Sequence, residues 1–113
     1  MPVPDVATLS WIQVQAVQSR AIIPAIVDLG AGEAEAIALG LEHKGSLLIL
    51  DDRLARRVAA LSHLAYTGTI GVLIKAKHAG HRAALRPVIQ GLRVSGLWLD
   101  DELVAMVLAQ AGE

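Results

Sequence analysis

The sequence predicts an α/β fold built on a parallel sheet, and three observations carry the prediction. Two short runs suited to strands, Leu47-Leu48-Ile49-Leu50 and Ala65-Tyr66-Thr67, are each followed directly by a stretch of helical periodicity. Strand then helix, repeated, is the order that joins parallel neighbours, because a parallel pair needs a crossover longer than a hairpin turn. Glycines stand where the helices are expected to stop, at Gly45, Gly80 and Gly96.

Taken in order, residues 1–10 read as an irregular lead. Trp11-Ile12-Gln13-Val14-Gln15-Ala16-Val17 alternates apolar with polar at period two, which predicts a half-buried strand. A helix-compatible piece over 22–29 precedes the break Gly30-Ala31-Gly32. A helix is expected over 33–43, with Ala34, Ile37, Ala38 and Leu41 recurring on one face. Residues 47–50 read as a strand apolar on both faces and buried on both. Asp51 or Asp52 is placed to cap a helix over 53–63 that turns Leu54, Val58 and Leu61 inward.

After the strand at 65–67, Gly68-Thr69-Ile70-Gly71 turns the chain into a helix over 72–79 that ends at Gly80. Pro87 suits the first turn of another helix, closed by Gly96, and Trp98-Leu99 reads as extended. Asp100 opens a last helix whose inward stripe is Leu103, Val104, Val107, Leu108 and Ala111.

A chain of 113 residues is expected to make one domain with a modest core. With no Phe, that core has to be aliphatic, and base-stacking platforms are scarce. The absence of Cys excludes disulfides, thiolate zinc sites and a Cys nucleophile, and agrees with a reducing cytoplasm. Mean hydropathy is positive at +0.51, yet no apolar run reaches the roughly 20 residues of a spanning helix. Met1-Pro2-Val3-Pro4-Asp5 also lacks the basic start of a signal peptide, so a cytoplasmic protein with no membrane partner is expected.

Charge is sharply segregated. The formal net charge is −1, but between Arg53 and Leu99 stand eight Lys or Arg and no Asp or Glu, directly after the pair Asp51-Asp52. A carboxylate site beside a cationic surface is the arrangement expected where metal ions and a phosphodiester meet. Arg53, Arg56, Arg57, Lys75, Lys77 and Arg82, with Arg86, are the candidate phosphate-binding residues. In an open parallel sheet the functional crevice lies beyond the carboxyl ends of the strands, which directs attention to Asp51, Asp52 and the turn holding Thr69. Glu33 and Glu35 open the preceding helix but point roughly 160° apart, so one of them belongs to the surface.

For each of these acids the plain alternative is a helix cap or a dipole-favoured charge. Gly30 and Gly32 lack the third glycine of a dinucleotide fingerprint and are followed by carboxylates where a pyrophosphate would bind. His78 and His81 are separated by a helix-ending glycine and read as surface residues rather than ligands.

Four segments in order then carry a resemblance: Gly32-Glu33-Ala34-Glu35-Ala36-Ile37-Ala38-Leu39, Leu48-Ile49-Leu50-Asp51-Asp52-Arg53-Leu54-Ala55-Arg56, Thr67-Gly68-Thr69-Ile70-Gly71-Val72-Leu73 and Ala76-Lys77-His78-Ala79-Gly80. With them the chain, over roughly residues 11–113, resembles the PIN-like family of predicted nucleic-acid-binding proteins, relatives of the VapC-type toxin ribonucleases. The resemblance implies a three-layer α/β/α domain with a parallel sheet, in which clustered carboxylates hold Mg²⁺ or Mn²⁺ and RNA is hydrolysed. It implies Glu33 and Asp51 or Asp52 as metal ligands and catalytic acids, with Thr69 as a small hydroxyl near the metal. It also implies RNA as substrate and a cognate antitoxin as partner.

The family pattern opens with a strand ending in Asp and helices bearing another acid, and nothing before Trp11 matches them. A PIN-like domain lacking its usual first strand and following helices is therefore expected, with a weakened metal shell and an open sheet edge hidden by dimerising, by exchanging segments or by binding a partner, a homo-oligomer being expected. Three functions follow as expectations: an impaired Mg- or Mn-dependent ribonuclease of toxin–antitoxin type, a non-catalytic remnant that binds nucleic acid or antitoxin, or, last, a small α/β interaction domain whose charges serve only solubility.

Overall fold

Alternating strand and helix yield five α-helices and a two-stranded parallel sheet across the residues that the computed structural model describes, 4–19 and 29–113. The α/β class is as expected. The chain divides into two compact units, Met1–Thr67 and Gly68–Glu113.

In the first unit the lead holds one 3-10 turn, Val6–Thr8, capped by Asp5, whose Oδ1 accepts the Ala7 N–H at 3.1 Å. The strand expected at 11–17 is not formed: residues 12–17 carry no regular structure, and Trp11 and Val14 are exposed. Alternation makes a strand only where a neighbour takes up the backbone hydrogen bonds, and among the described residues the two strands pair only with each other. The lead is instead fastened by Glu42, whose Oε1 accepts the N–H groups of Gln18 and Ser19, each at 2.8 Å. The helical piece expected over 22–29 lies outside the described residues except for Leu29, which packs on the first core.

Helix α1 (Ala31–Glu42) begins two residues earlier than its acids suggest, because extended Gly30 serves as its N-cap. Strand β1 (Leu47–Ile49) leads through Asp52 into α2 (Arg53–Leu61), and β2 (Ala65–Thr67) returns parallel to β1 with Leu47 opposite Ala65 and Ile49 opposite Thr67. Leu50 N–H donates to the Thr67 carbonyl at 2.7 Å and extends the ladder one step beyond β1.

The core of this unit is Ile37, Leu48, Leu50, Ala55, Val58 and Ala59. It occupies one side of β1 only. Leu48 and Leu50 are buried while Leu47 and Ile49 are 48% and 60% exposed, so the expectation of a strand buried on both faces is corrected. Leu61, expected inward, is exposed on the last turn of α2, where the helix stops before Ser62. His63 then takes the left-handed backbone at φ 59°, a turn that the longer expected helix passes over.

The second unit holds α3 (Thr69–His78), α4 (Arg86–Val94) and α5 (Asp101–Gln110). Its core is Leu85, Ile89, Val107, Leu108 and Ala111, with Leu103 and Val104 packed against it, so the whole expected stripe of the last helix faces inward. Asp100 caps α5 by accepting the Leu103 N–H at 2.6 Å. Trp98-Leu99 forms no strand, and Trp98 is exposed.

Close packing of α1 on β1 depends on a missing side chain. A Cβ on Gly40 would stand 2.7 Å from Leu48 Cδ1 and 3.3 Å from Leu64 Cδ1, whereas one on Gly32 of the same helix meets nothing within 4 Å. Gly40→Ala is therefore expected to lower stability by about 1–3 kcal/mol through overpacking. Gly32→Ala is expected to raise it by a few tenths to about 1 kcal/mol through helix propensity. Urea midpoints of the two variants against the parent chain check both signs.

Candidate functional site

Because β1 and β2 run parallel, both end at one rim of the sheet, and the residues after β1 are Leu50, Asp51 and Asp52. The backbone leaves the strand here and enters α2, so the first acid of the helix serves as its cap: Asp52 Oδ2 accepts the Ala55 N–H at 2.9 Å. Both aspartates are exposed. Asp51 faces Arg56, with Oδ1 3.6 Å from a terminal nitrogen of the guanidinium. Arg56 is held in that position by its own Nε, which donates to the Leu50 carbonyl at 2.7 Å.

Beside this pair lies an open depression of about 350 Å³ lined by Asp52, Arg53, Leu54 and Arg57. Arg53 and Arg57 are four residues apart on α2, hence on one face, and both are exposed. Among the described residues neither has a carboxylate partner. Two unpaired guanidinium groups at one depression are suited to oxygens of a phosphate backbone.

Glu33 is the acid in the first turn of α1, and it is half-buried. Its carboxylate folds back over the N-cap and occupies the space that a Cβ at Gly30 would take, so only glycine permits that placement. Glu35 lies beyond the first turn and is exposed, in line with the divergence of the two acids.

Glu33, Asp51 and Asp52 have the chemistry a hard divalent ion requires, carboxylate oxygen. Their arrangement does not complete a shell: among the described residues no three of His, Asp or Glu are gathered closely enough to hold a metal ion. Asp52 is engaged as a cap and Asp51 with Arg56, so the described residues by themselves do not fit a full Mg²⁺ or Mn²⁺ centre.

The remaining candidates belong to the second unit. Thr69 is the first residue of α3, after the buried N-cap Gly68, and is half-buried. Lys75 and Arg82 are exposed. Lys77 is committed elsewhere: its Nζ lies 3.0 Å from Glu113 Oε2, and both side chains are largely buried, at 17% and 15% exposure. Glu113 also accepts the Leu85 N–H at 2.7 Å and the Arg86 N–H at 3.4 Å, so one carboxylate closes the start of α4 and neutralises the last turn of α3. The Leu85 N–H, and after it Lys77, hold the Glu113 carboxyl below the ordinary value of 4.5.

Sequence reasoning missed Glu113 and the role of Arg56. Glu113 stands outside any periodic stripe, and its partners are 28 and 36 residues away in the chain. Arg56 was assigned to a phosphate-binding run, and only its placement shows that Leu50 and Asp51 claim its guanidinium first.

In comparison with known proteins, the family model DUF3368, described as a PIN domain, matches residues 1–113. No curated protein and no solved structure matches the chain. Among the described residues no helix is long and apolar enough to cross a membrane.

A carboxyl group with a depressed folded value contributes stability above its unfolded value and loses it as pH falls through the folded one. Glu113→Gln is therefore expected to unfold at lower urea than the parent at pH 7, with the gap narrowing as pH falls below the ordinary value of 4.5. Urea midpoints at pH 7 and pH 3 measure it, and a gap of equal size at both would contradict the charge-based role.

Proposed function

We propose, from the premise that this chain belongs to the PIN-domain family, that it is a nuclease-lineage domain of the toxin–antitoxin type that grips RNA by its phosphate backbone and turns it over poorly. Membership of the family makes the chain nuclease-like; RNA as ligand, the toxin setting and the weak turnover are our reading. The observation that carries it is the depression beside the β1 rim, lined by Arg53 and Arg57 together with Asp52.

Charge supports a polyanion as ligand. Guanidinium groups bind phosphate oxygens through paired N–H donors, and the scarcity of aromatic side chains leaves backbone contact as the main source of affinity. Exposed Lys75 and Arg82 offer further backbone contacts on the second unit. Poor turnover is supported by the count of acids: in-line attack on a phosphodiester needs a cation held firmly enough to position water, and the described residues bring no three acids together.

A second reading has its own observation. The hard oxygen donors Asp51 and Asp52 sit at the carboxyl rim of a parallel sheet, the usual place for a ligand, which favours an efficient Mg- or Mn-dependent endoribonuclease with Glu33, Asp51 and Asp52 as ligands and Thr69 nearby. Labelled RNA separates the two. Chelator-sensitive cleavage at many turnovers per minute that is lost in Asp51→Ala and Asp52→Ala belongs to the second reading; salt-sensitive binding without such turnover belongs to the first.

Two kinds of protein partner accompany the proposal. A cognate antitoxin goes with the toxin lineage. A second copy is supported by the apolar face of β1, where Leu47 and Ile49 are exposed and, among the described residues, no third strand joins the sheet. Ile49→Lys is expected to shift the chain from oligomer to monomer in light scattering, and a parent chain that is monomeric at high concentration would contradict the self-association.

Each guanidinium that neutralises a phosphate of single-stranded RNA adds about 0.7 to the slope of log K against log salt. The double variant Arg53→Ala/Arg57→Ala is therefore expected to bind RNA more weakly at low salt, with a slope shallower by about 1.4. Fluorescence anisotropy across a salt series measures this, and an unchanged slope would remove the depression from the RNA-binding surface.

A further inference from the structure

The rim of β1 carries two acids, yet among the described residues no third gathers with them to hold a metal ion, and Arg56 bears on how the rim would treat one. Its guanidinium spans two oxygen atoms at the strand end. Nε donates to the Leu50 carbonyl at 2.7 Å, and a terminal nitrogen faces Asp51 Oδ1 at 3.6 Å. Those are a main-chain and a carboxylate oxygen from consecutive residues, the donor types a hard divalent ion takes.

We propose that Arg56 is a built-in counter-cation that holds Asp51 and the Leu50 carbonyl in place of a divalent metal ion, and so keeps metal affinity at this rim low. The inference rests on the reading of Asp51 as an acid of the nuclease edge and adds the device that weakens it. Geometry favours a standing arrangement over a chance encounter. The Leu50 hydrogen bond fixes the plane of the guanidinium, so little further side-chain freedom is lost when Asp51 is engaged. The side chain is rooted one residue after buried Ala55 on α2, a helix whose start is itself capped by Asp52.

The two cations compete by charge and by lone pairs. A guanidinium beside Asp51 repels an approaching divalent ion and takes up the Leu50 carbonyl oxygen by its hydrogen bond. Arg53 and Arg57 differ in this respect: they line the neighbouring depression and have no carboxylate partner among the described residues. One helix thereby divides its three arginines between two tasks, two for a polyanion and one for the strand end.

The test is Mn²⁺ binding, read by isothermal titration and by loss of the free-ion electron paramagnetic resonance signal. Arg56→Gln removes the charge, and Arg56→Met removes it while keeping an aliphatic stem on α2. Circular dichroism melts confirm that the variants are folded. Both are expected to bind Mn²⁺ more tightly than the parent, on the order of threefold, the scale on which exposed ion pairs are measured. The gain should vanish when Asp51→Asn is added. Lys44→Gln, which removes one positive charge beyond the other end of α1, should show less than half of it.

No gain in either Arg56 variant overturns the inference, as does a gain that survives Asp51→Asn or one that Lys44→Gln reproduces in full. RNA binding by Arg53 and Arg57 is read separately by the salt series, so failure of one claim leaves the other standing or falling on its own data.

Discussion

The first unit depends on a single constraint, the one-sided burial of β1. Leu48 and Leu50 enter the core with Ile37 of α1 and with Ala55, Val58 and Ala59 of α2, and a shift of one residue along the strand would exchange them for Leu47 and Ile49. Once Leu50 is buried and hydrogen-bonded to Thr67, Asp51 and Asp52 have to fall at the rim. The chain then needs a cap for α2, and Asp52 provides it. Helical geometry does the rest: with Ala55, Val58 and Ala59 turned inward, Arg53 and Arg57 lie roughly 170° away, and Arg56 comes between, beside the strand end. The charge pattern of the site is thus a consequence of which two leucines are buried.

Much of this was legible in the sequence because it depends on neighbours in the chain. The two strands, a cap for α2 at Asp51 or Asp52, the start of α5 at Asp100, the turn at Gly45 and the inward stripe from Leu103 to Ala111 all follow from local conformational preference and period, and placement chooses Asp52. The alternation at 11–17 misled because a strand is a property of a pair, and among the described residues no partner strand meets these. The apolar run at 47–50 misled about its second face for a related reason: composition says that a surface can be covered, not that it is.

Ion pairing was the least legible layer. Lys77 reads as a member of a basic run, yet Glu113, which also accepts from the start of α4, claims it, through contacts that span 27 to 36 residues. Arg56 reads as equivalent to its neighbour Arg57, and one residue of helical rotation places them against different partners. Counting charges located the cationic surface; only placement separated the arginines that hold the fold from those that remain open to a ligand. The PIN-domain membership makes the scaffold nuclease-like, and among the described residues no three acids gather at its rim.

The most direct measurement of that account is a titration of the isotope-labelled chain with a short single-stranded RNA, followed residue by residue through amide chemical shifts. The account predicts that the largest changes in the first unit fall on residues 51–57, at the rim and the first turns of α2, and that residues 40–45 and 62–64, at the far ends of the two helices, stay still. Changes confined to that far end, or no change at RNA concentrations well above those of the salt series, would contradict it.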